Sequence, residues 1–98
     1  MSTNLSLPRT TWTARITAEA EPVLLARLLQ KLTCQGATIH SLHYELGRVD
    51  SALATVEIIF SAEDSRAMLL AKQWRTIIAV RRVELTHLQT KEQLARTP

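Results

Sequence analysis

The residues TWTARITA, from Thr11 to Ala18, alternate strictly between two classes of side chain. The apolar class would lie on one face of a β-strand: Trp12, Ala14, Ile16 and Ala18. The opposite face would carry the polar class: Thr11, Thr13, Arg15 and Thr17. Because side chains on a strand point alternately to its two faces, this pattern predicts a strand with one face in a core and the other in solvent.

A helix is predicted directly after this strand. The segment Glu19-Ala-Glu-Pro22 would end the strand, since proline suits the first turn of a helix and glutamate is favourable near the positive end of its dipole. Leucines then recur at spacings of three and four residues, at Leu25, Leu28, Leu29 and Leu32. This spacing predicts an amphipathic helix over Pro22–Gln35. Gly36 follows where helices often end in the left-handed conformation.

Two further strands are predicted after this glycine. Residues Ala37–Gly47 and Ala54–Phe60 both favour extended structure, and the turn residues Gly47–Ser51 between them predict a hairpin. Ile39 and Leu42 are out of phase within the first of these strands, which indicates a β-bulge or twist between them. The inner face of the later strand would consist of Ala54, Val56, Ile58 and Phe60.

The remaining segment predicts a second helix and a fourth strand. Ser61-Ala-Glu-Asp64 places an acid three residues after a serine, which is a capping pattern for a helix over Ala62–Arg75. Ile77–Leu85 follows as a strand, with Val83 and Leu85 pointing inward.

The order strand, helix, strand, strand, helix, strand predicts an α+β fold of the ferredoxin-like βαββαβ type. Right-handed crossovers favour a four-stranded antiparallel sheet in the order 4-1-3-2, with both helices on one face. We assign residues 11–88 to this single domain, between a flexible arm at residues 1–10 and a polar tail at residues 89–98.

This strand order has two consequences. Arg15 on the first strand would lie beside Glu57 and Glu84 on its two neighbours, an arrangement suited to an exposed sheet face. The second strand would be an edge without proline or lysine, and such edges are usually protected or used for pairing. We therefore expect a dimer or a complex formed through edge residues. These residues are Thr38, His40, Leu42, His43 and Tyr44.

The composition fits an ordinary globular domain. Of the 98 residues, 46% are hydrophobic and 21% are charged, and the net charge of +3 is scattered rather than clustered. Cys34 is the only cysteine, so an internal disulfide is impossible. The polar start of the sequence lacks the pattern of a signal peptide, and no apolar run is long enough for a membrane span. We expect a cytoplasmic protein.

No catalytic or metal-binding constellation is recognisable in the sequence. A metal-carrying domain of this type would need a Cys-x-x-Cys pair, and a phosphate cradle would need a glycine-rich loop. His40 and His43 are three positions apart in a strand and would face opposite sides, which favours surface or interface histidines over a metal site. The outward positions of the two central strands carry no aromatic platform for RNA. We therefore expect neither an enzyme nor a nucleic-acid-binding protein.

The chain resembles an ACT domain, the βαββαβ module of amino-acid-regulated enzymes. It is most similar to the small regulatory subunits of acetolactate synthase (acetohydroxyacid synthase), especially the short isozyme with a single ACT domain. The segments that carry the resemblance are Thr17–Leu32, Gly36–Leu42 and Ala54–Phe60. Ile39 and Leu42 fill the Ile-x-x-Ile/Leu pattern with which family members enter the second strand.

The resemblance implies a non-catalytic regulatory subunit in branched-chain amino acid biosynthesis. Such a subunit binds the catalytic subunit of acetolactate synthase and raises its activity. Thiamine diphosphate, magnesium and FAD are then expected in that catalytic partner, and no cofactor in this chain. The resemblance also implies a homodimer formed through the second strand and the first helix.

The family further implies an effector site where two ACT domains meet. Carried over to this sequence, the site would involve Ala20, Glu21, Val23, Thr38 and Ile39. Ala20 and Thr38 stand where valine-binding relatives have asparagines, and Val23 stands where they have a glycine. These departures remove amide groups and place a branched side chain where the effector's backbone would lie. The resemblance therefore implies activation of the partner with weak or absent valine feedback.

Two alternatives remain open on the sequence. The chain would act by itself in the first, as an ACT-type homodimeric sensor that binds a small amino acid. The second alternative is a nucleic-acid-binding module of ferredoxin-like fold, with strongly salt-dependent binding.

Overall fold

The computed structural model describes residues 9–47 and 52–88, which form one four-stranded antiparallel sheet and two helices. The elements in chain order are β1 (Arg9–Glu19), α1 (Leu24–Cys34), β2 (Thr38–Leu46), β3 (Leu53–Glu63), α2 (Asp64–Arg75) and β4 (Val80–His87). The sheet order is β2-β3-β1-β4, so the predicted order 4-1-3-2 is confirmed. Most of the predicted arm, tail and hairpin turn lies outside the described residues.

The core lies between one face of the sheet and the two helices. The predicted inner faces of β1 and β3 are confirmed, since their apolar side chains are all buried. Trp74 of α2 is fully buried, and its indole Nε1 donates to the carbonyl oxygen of Leu28 in α1 at 3.1 Å. The ring of Phe60 meets Trp74 edge to face at a centroid distance of 6.0 Å. Trp74 therefore joins both helices to the sheet.

The predicted start of the second helix is wrong. β3 continues through Ser61 to Glu63, and α2 begins at Asp64. Ser61 pairs with Thr11 across the β1–β3 ladder, and their hydroxyl groups are hydrogen-bonded at 3.1 Å. The serine hydroxyl is therefore engaged in the sheet rather than in capping a helix, because β1 extends back to Arg9 and offers a partner to the end of β3.

The predicted starts of the first helix and of the fourth strand also differ from those in the structure. Pro22 lies in a turn, and α1 begins two residues later at Leu24. Ile77 does not begin β4, because it sits in a tight turn in which the amide of Val80 donates to its carbonyl oxygen at 2.9 Å. Ile77 and Ala79 are buried although they precede the strand, which explains their strand-like apolar pattern.

The predicted bulge in β2 is confirmed. Ile39 pairs with Phe60 and Ser41 pairs with Ile59, so His40 is the extra residue. The bulge lets the His40 imidazole reach the hydroxyl of Ser61 on the open face of the sheet, at 2.7 Å. The expectation that His40 and His43 face opposite sides is therefore wrong, since His43 lies opposite the outward-facing Glu57.

The loop between α1 and β2 depends on Gly36. This glycine has φ of +68°, the left-handed conformation predicted for it. The amide of Ala37 then donates to the carbonyl oxygen of Leu32 at 3.0 Å, which closes the end of α1. Within the described residues, neither helix is long and apolar enough to cross a membrane.

Candidate functional site

A shallow cavity of about 290 Å³ lies where β1 leads into α1. Its walls are formed by Ala20, Glu21, Pro22, Leu25 and Tyr44. The loop is fixed by two backbone hydrogen bonds: the amide of Ala20 donates to Ala52 at 2.7 Å, and the amide of Glu19 donates to Ala79 at 2.8 Å. The end of β1 beside the cavity is therefore tied to the segments that precede β3 and β4.

Two predicted effector residues, Ala20 and Glu21, line this cavity. Val23 lies next to it at the start of α1, with 45% of its side chain exposed. No side chain caps the α1 N-terminus. Among the described residues of the cavity wall, the acidic side chain is Glu21, whose carboxylate repels a ligand carboxylate.

Thr38 and Ile39 lie at the opposite end of the sheet from this cavity. Thr38 is in register with Ser61 and Thr11, whereas the cavity adjoins the row of Ala18 and Ala54. The seven residue-to-residue steps from Thr11 to Ala18 span about 23 Å at ~3.3 Å per residue. Within one chain, the structure therefore separates the predicted effector residues into two groups.

An apolar strip runs along β2 and the adjacent side of α1. We define it as Leu25 and Leu29 of α1 together with Ile39, Leu42, Tyr44 and Leu46 of β2. Leu46 is 62% exposed and Ile39 is 41% exposed, and the other four side chains are half-buried. The predicted edge residues Leu42 and Tyr44 thus belong to a surface that includes α1.

The contribution of Leu25 and Tyr44 to the cavity was not predicted from the sequence. The sequence pattern places Leu25 on the apolar face of the first helix and Tyr44 on the edge strand. The signal that identifies them is their position at the border of the core, since both are only half-buried and pack against it. Sequence periodicity identifies the apolar face of an element but not where that face ends.

The two edges of the sheet differ in their protection. Beside β4, Arg75 donates from Nη2 to the carbonyl oxygen of Val83 at 3.2 Å. Arg81 is paired with Glu19, and Arg82 with Glu84, so β4 also carries charged side chains along its length. Charges of this kind discourage pairing with a further strand.

The β2 edge carries no comparable cover within the described residues. On the described part of β2, Nε2 of His43 lies 3.7 Å from Oε1 of Glu45, and both side chains are largely exposed. His40 is turned to Ser61, and Thr38 accepts a hydrogen bond from Arg9 at 2.9 Å. The backbone of β2 is therefore the more accessible of the two edges for pairing.

The open face of the sheet is polar. Arg15 lies opposite Glu57 of β3 and Glu84 of β4, as predicted. On the described parts of β1 and β3 this face presents threonine, serine, charged and aliphatic side chains, without an aromatic one. The face therefore lacks the stacking surface with which sheets of this kind bind RNA.

A search for catalytic or metal-binding groups yields little. Among residues 9–47 and 52–88, no three His, Cys, Asp or Glu side chains lie together in a way that could hold a metal ion. Cys34 is exposed on the last turn of α1. The described geometry consequently offers binding surfaces and carries no argument for a metal centre.

No family model matches the chain, and the comparison with curated proteins also finds no match. Solved structures do match. The ACT domain from the GTP pyrophosphokinase of Chlorobium tepidum has a TM-score of 0.67 at 12% sequence identity, over 81% of this chain and 100% of that chain.

Two longer proteins contain a similar region. A homoserine dehydrogenase from Thiobacillus denitrificans has a TM-score of 0.69 at 17% identity, over 84% of this chain and 18% of that chain. A formyltetrahydrofolate deformylase from Pseudomonas putida has a TM-score of 0.63 at 18% identity, over 80% of this chain and 29% of that chain. At these identities the likeness shows the fold, and the chain has the ferredoxin-like fold found in ACT domains.

Proposed function

We propose that this chain is a non-catalytic, cytoplasmic regulatory subunit that binds and activates the catalytic subunit of acetolactate synthase. The observation that carries the proposal is the combination of an ACT-type fold with an effector cavity that is largely apolar. The sequence resemblance to the small subunits of this enzyme adds the identity of the partner. Thiamine diphosphate, magnesium and FAD would be held by that partner, which performs the chemistry.

We also propose that the chain forms a homodimer through β2 and α1. The β2 edge is uncovered while the β4 edge is protected by arginines, so strand pairing is favoured at one edge only. The apolar strip lies next to that edge and would be buried in the same contact. Since one available edge supports one two-fold contact, a closed dimer is favoured over a growing sheet.

Pairing of this kind would also bring the two separated groups of predicted effector residues close to each other. If two β2 strands pair antiparallel about a two-fold axis near Leu42, the start of one strand lies beside the end of the other. Thr38 and Ile39 of one copy would then approach Leu46 of the second copy, close to the cavity at Ala20. The effector site would therefore be complete only between two chains.

The side chains in the cavity favour weak or absent valine feedback. An amino acid needs partners for its carboxylate and its ammonium group, and leaving either group unpaired on burial is unfavourable. Ala20, Pro22 and Leu25 supply no hydrogen-bonding side chain, which leaves the Glu21 carboxylate and the Tyr44 hydroxyl. Glu21 can accept from an ammonium group but repels a carboxylate, so the carboxylate of a bound amino acid would have few side-chain donors in this cavity wall.

Reconstitution tests this function directly. Acetolactate formation is measured for the catalytic subunit alone and with the full chain added, each with and without valine. We expect the chain to raise the rate about 5-fold or more, within the range of allosteric coupling, and valine to leave the raised rate unchanged. An unchanged rate on addition of the chain would contradict the proposed activation.

The proposed weak feedback can be tested by restoring the residues of valine-binding relatives. The triple variant Ala20→Asn, Val23→Gly, Thr38→Asn supplies two amide side chains and removes the branched one. Because each hydrogen bond gained contributes about 1 kcal/mol, we expect calorimetry to show valine binding at least about tenfold tighter than in the natural chain. The control variant Ala26→Asn, on the exposed side of α1, should leave valine binding unchanged.

The alternative is a homodimeric ACT-type sensor that works without a catalytic partner. The cavity volume of about 290 Å³ is suited to a small amino acid and keeps this hypothesis open. It would replace the proposed function if the chain left acetolactate formation unchanged while a small amino acid raised its melting temperature. A ligand that binds only the folded state raises that temperature, and the stabilisation grows with the logarithm of the ligand concentration divided by the dissociation constant.

A further inference from the structure

A second cavity, of about 350 Å³, lies at the opposite end of the sheet from the first. It is formed where α1 ends, α2 begins, and the two central strands have the start of β1 beside the end of β3. Its principal lining residues are Arg9, Cys34, Gln35, Gly36, Glu63 and Arg66. Neither the sequence resemblance nor the proposed regulatory function gives this cavity a role.

The guanidinium of Arg9 is held in place from one side only. Its Nη2 donates to the carbonyl oxygens of Gly36 at 3.2 Å and Ser61 at 2.8 Å, and to the hydroxyl of Thr38 at 2.9 Å. These bonds tie three segments of the chain to a single nitrogen. Within the described residues, Nη1 and Nε of Arg9 have no hydrogen-bond partner, so two further donor groups are available.

Arg66 approaches the cavity from α2 and is also anchored. Its Nη1 donates to Oε1 of Gln35 at 3.2 Å, and Nε2 of Gln35 donates to Oε1 of Gln73 at 3.2 Å. These two hydrogen bonds orient the guanidinium of Arg66. Because the glutamine side chains are neutral, they leave its positive charge uncompensated. In the described part of the chain, Nη2 and Nε of Arg66 also have no hydrogen-bond partner.

The Glu63 carboxylate supplies the opposite charge. Glu63 lies directly across from Arg9 in the β1–β3 ladder and is half-buried. No ion pair within 4 Å joins Glu63 to a described basic side chain, although two arginines line the same cavity. The cavity therefore presents two anchored cations and one unpaired anion, with a net charge of +1.

We propose that this cavity binds a small monocarboxylate that carries a hydrogen-bond donor, either hydroxyl or ammonium, on the carbon next to the carboxylate. The N–H groups of Arg9 and Arg66 that have no partner among the described residues would donate to the carboxylate, since the geometry of a guanidinium group matches its two oxygens. Glu63 can only accept hydrogen bonds when ionised, so it would select the neighbouring donor. The same carboxylate disfavours a second negative charge on the ligand. The proposal is independent of the regulatory function, because it concerns the single chain and the other end of the sheet.

The test uses three nearly isosteric probes with the full isotopically labelled chain: L-lactate, L-alanine and propionate. They share a carboxylate and a three-carbon skeleton, and differ in the group beside the carboxylate. We expect lactate or alanine to give saturable amide shifts at Cys34, Gly36 and Glu63, with propionate binding about tenfold or more weakly, since it lacks a hydrogen bond to a charged group. Comparing lactate with alanine identifies the donor.

Two variants assign the binding to named side chains. Arg66→Gln should weaken the preferred probe about tenfold or more, because it removes a charge-assisted contact. Glu63→Gln should abolish the preference over propionate. The matched control Arg27→Gln removes an exposed arginine of α1 that does not line the cavity, and should leave binding unchanged.

Several outcomes would overturn the proposal. These are no saturable shift with any probe, equal weakening by Arg66→Gln and Arg27→Gln, or shifts centred on Ala20 and Tyr44. Tighter binding of inorganic phosphate than of lactate and alanine would also count against it, because a dianion conflicts with Glu63. Circular dichroism of each variant separates lost binding from lost folding. None of these results bears on activation of acetolactate synthase, so failure here is distinguishable from failure of the proposed function.

Discussion

Trp74→Ala is expected to lower the free energy of unfolding by about 3–5 kcal/mol, the range for truncating a buried tryptophan. Trp74 is fully buried, packs edge to face on Phe60 and bonds to the backbone of α1. The loss is large against the ~5–15 kcal/mol by which domains are usually stable. Urea denaturation followed by circular dichroism measures the change.

A matched pair of Trp→Phe variants separates the hydrogen bond from the packing. Trp12 and Trp74 are both buried, but only the indole of Trp74 has a hydrogen-bond partner among the described residues. Trp74→Phe removes both packing and the bond to Leu28, whereas Trp12→Phe removes packing and an unsatisfied donor. We expect Trp74→Phe to destabilise the chain more, by about 1 kcal/mol. Equal losses would mean that the bond to Leu28 contributes nothing to stability.

The fold was accessible from the sequence because each element has its own periodic pattern. The alternation of Thr11–Ala18 and the leucine spacing of α1 both indicate which side chains are buried, and the fold must bring these apolar faces together in one core. The chirality of crossover connections then leaves few strand orders. The bulge in β2 was also predictable, since Ile39 and Leu42 must both face inward across an even number of intervening residues.

Element boundaries were less accessible because they depend on contacts between distant segments. The Ser61–Asp64 pattern favours a helix start locally, but the partner strand extends to Arg9 and pairs through Glu63. Strand pairing between β1 and β3 therefore stabilises this segment more than helix capping by Ser61 would. Ile77 and Ala79 were similarly misassigned, because a buried turn and a strand can share one apolar pattern.

The residues of the two candidate sites also differ in how far the sequence could predict them. Ala20 and Glu21 were identified through their place in a resemblance, and the fold does put them beside a cavity. Tyr44 reaches that cavity only because β2 lies at the edge of the sheet, next to α1. The second cavity brings Arg9, Glu63 and Arg66 together from three elements, and no local pattern in the sequence connects them.

The double variant Ile39→Lys, Leu46→Lys is expected to raise the dissociation constant of the homodimer by at least about 100-fold, or ~2.7 kcal/mol. Both side chains belong to the apolar strip and are substantially exposed in the single chain. In a two-fold contact through β2 each substitution acts twice, and the introduced lysines would lose water on burial. The two substitutions should change the stability of the monomer little, because exposed positions tolerate replacement within about 0.5 kcal/mol. Sedimentation velocity over a range of protein concentrations measures the effect.

Ile78→Lys provides the matched control, because Ile78 is 92% exposed but precedes β4, at the opposite edge of the sheet. It makes the same kind of substitution, one lysine per chain against two in the double variant, without touching the apolar strip. If both variants weaken the dimer equally, non-specific association is the cause and the β2 contact is excluded. A natural chain that stays monomeric at micromolar concentration would contradict the contact altogether. In the proposed dimer, Thr38 and Ile39 approach the first cavity from the second copy. The double variant should therefore also abolish the valine binding gained by the triple variant, whereas Ile78→Lys should preserve it.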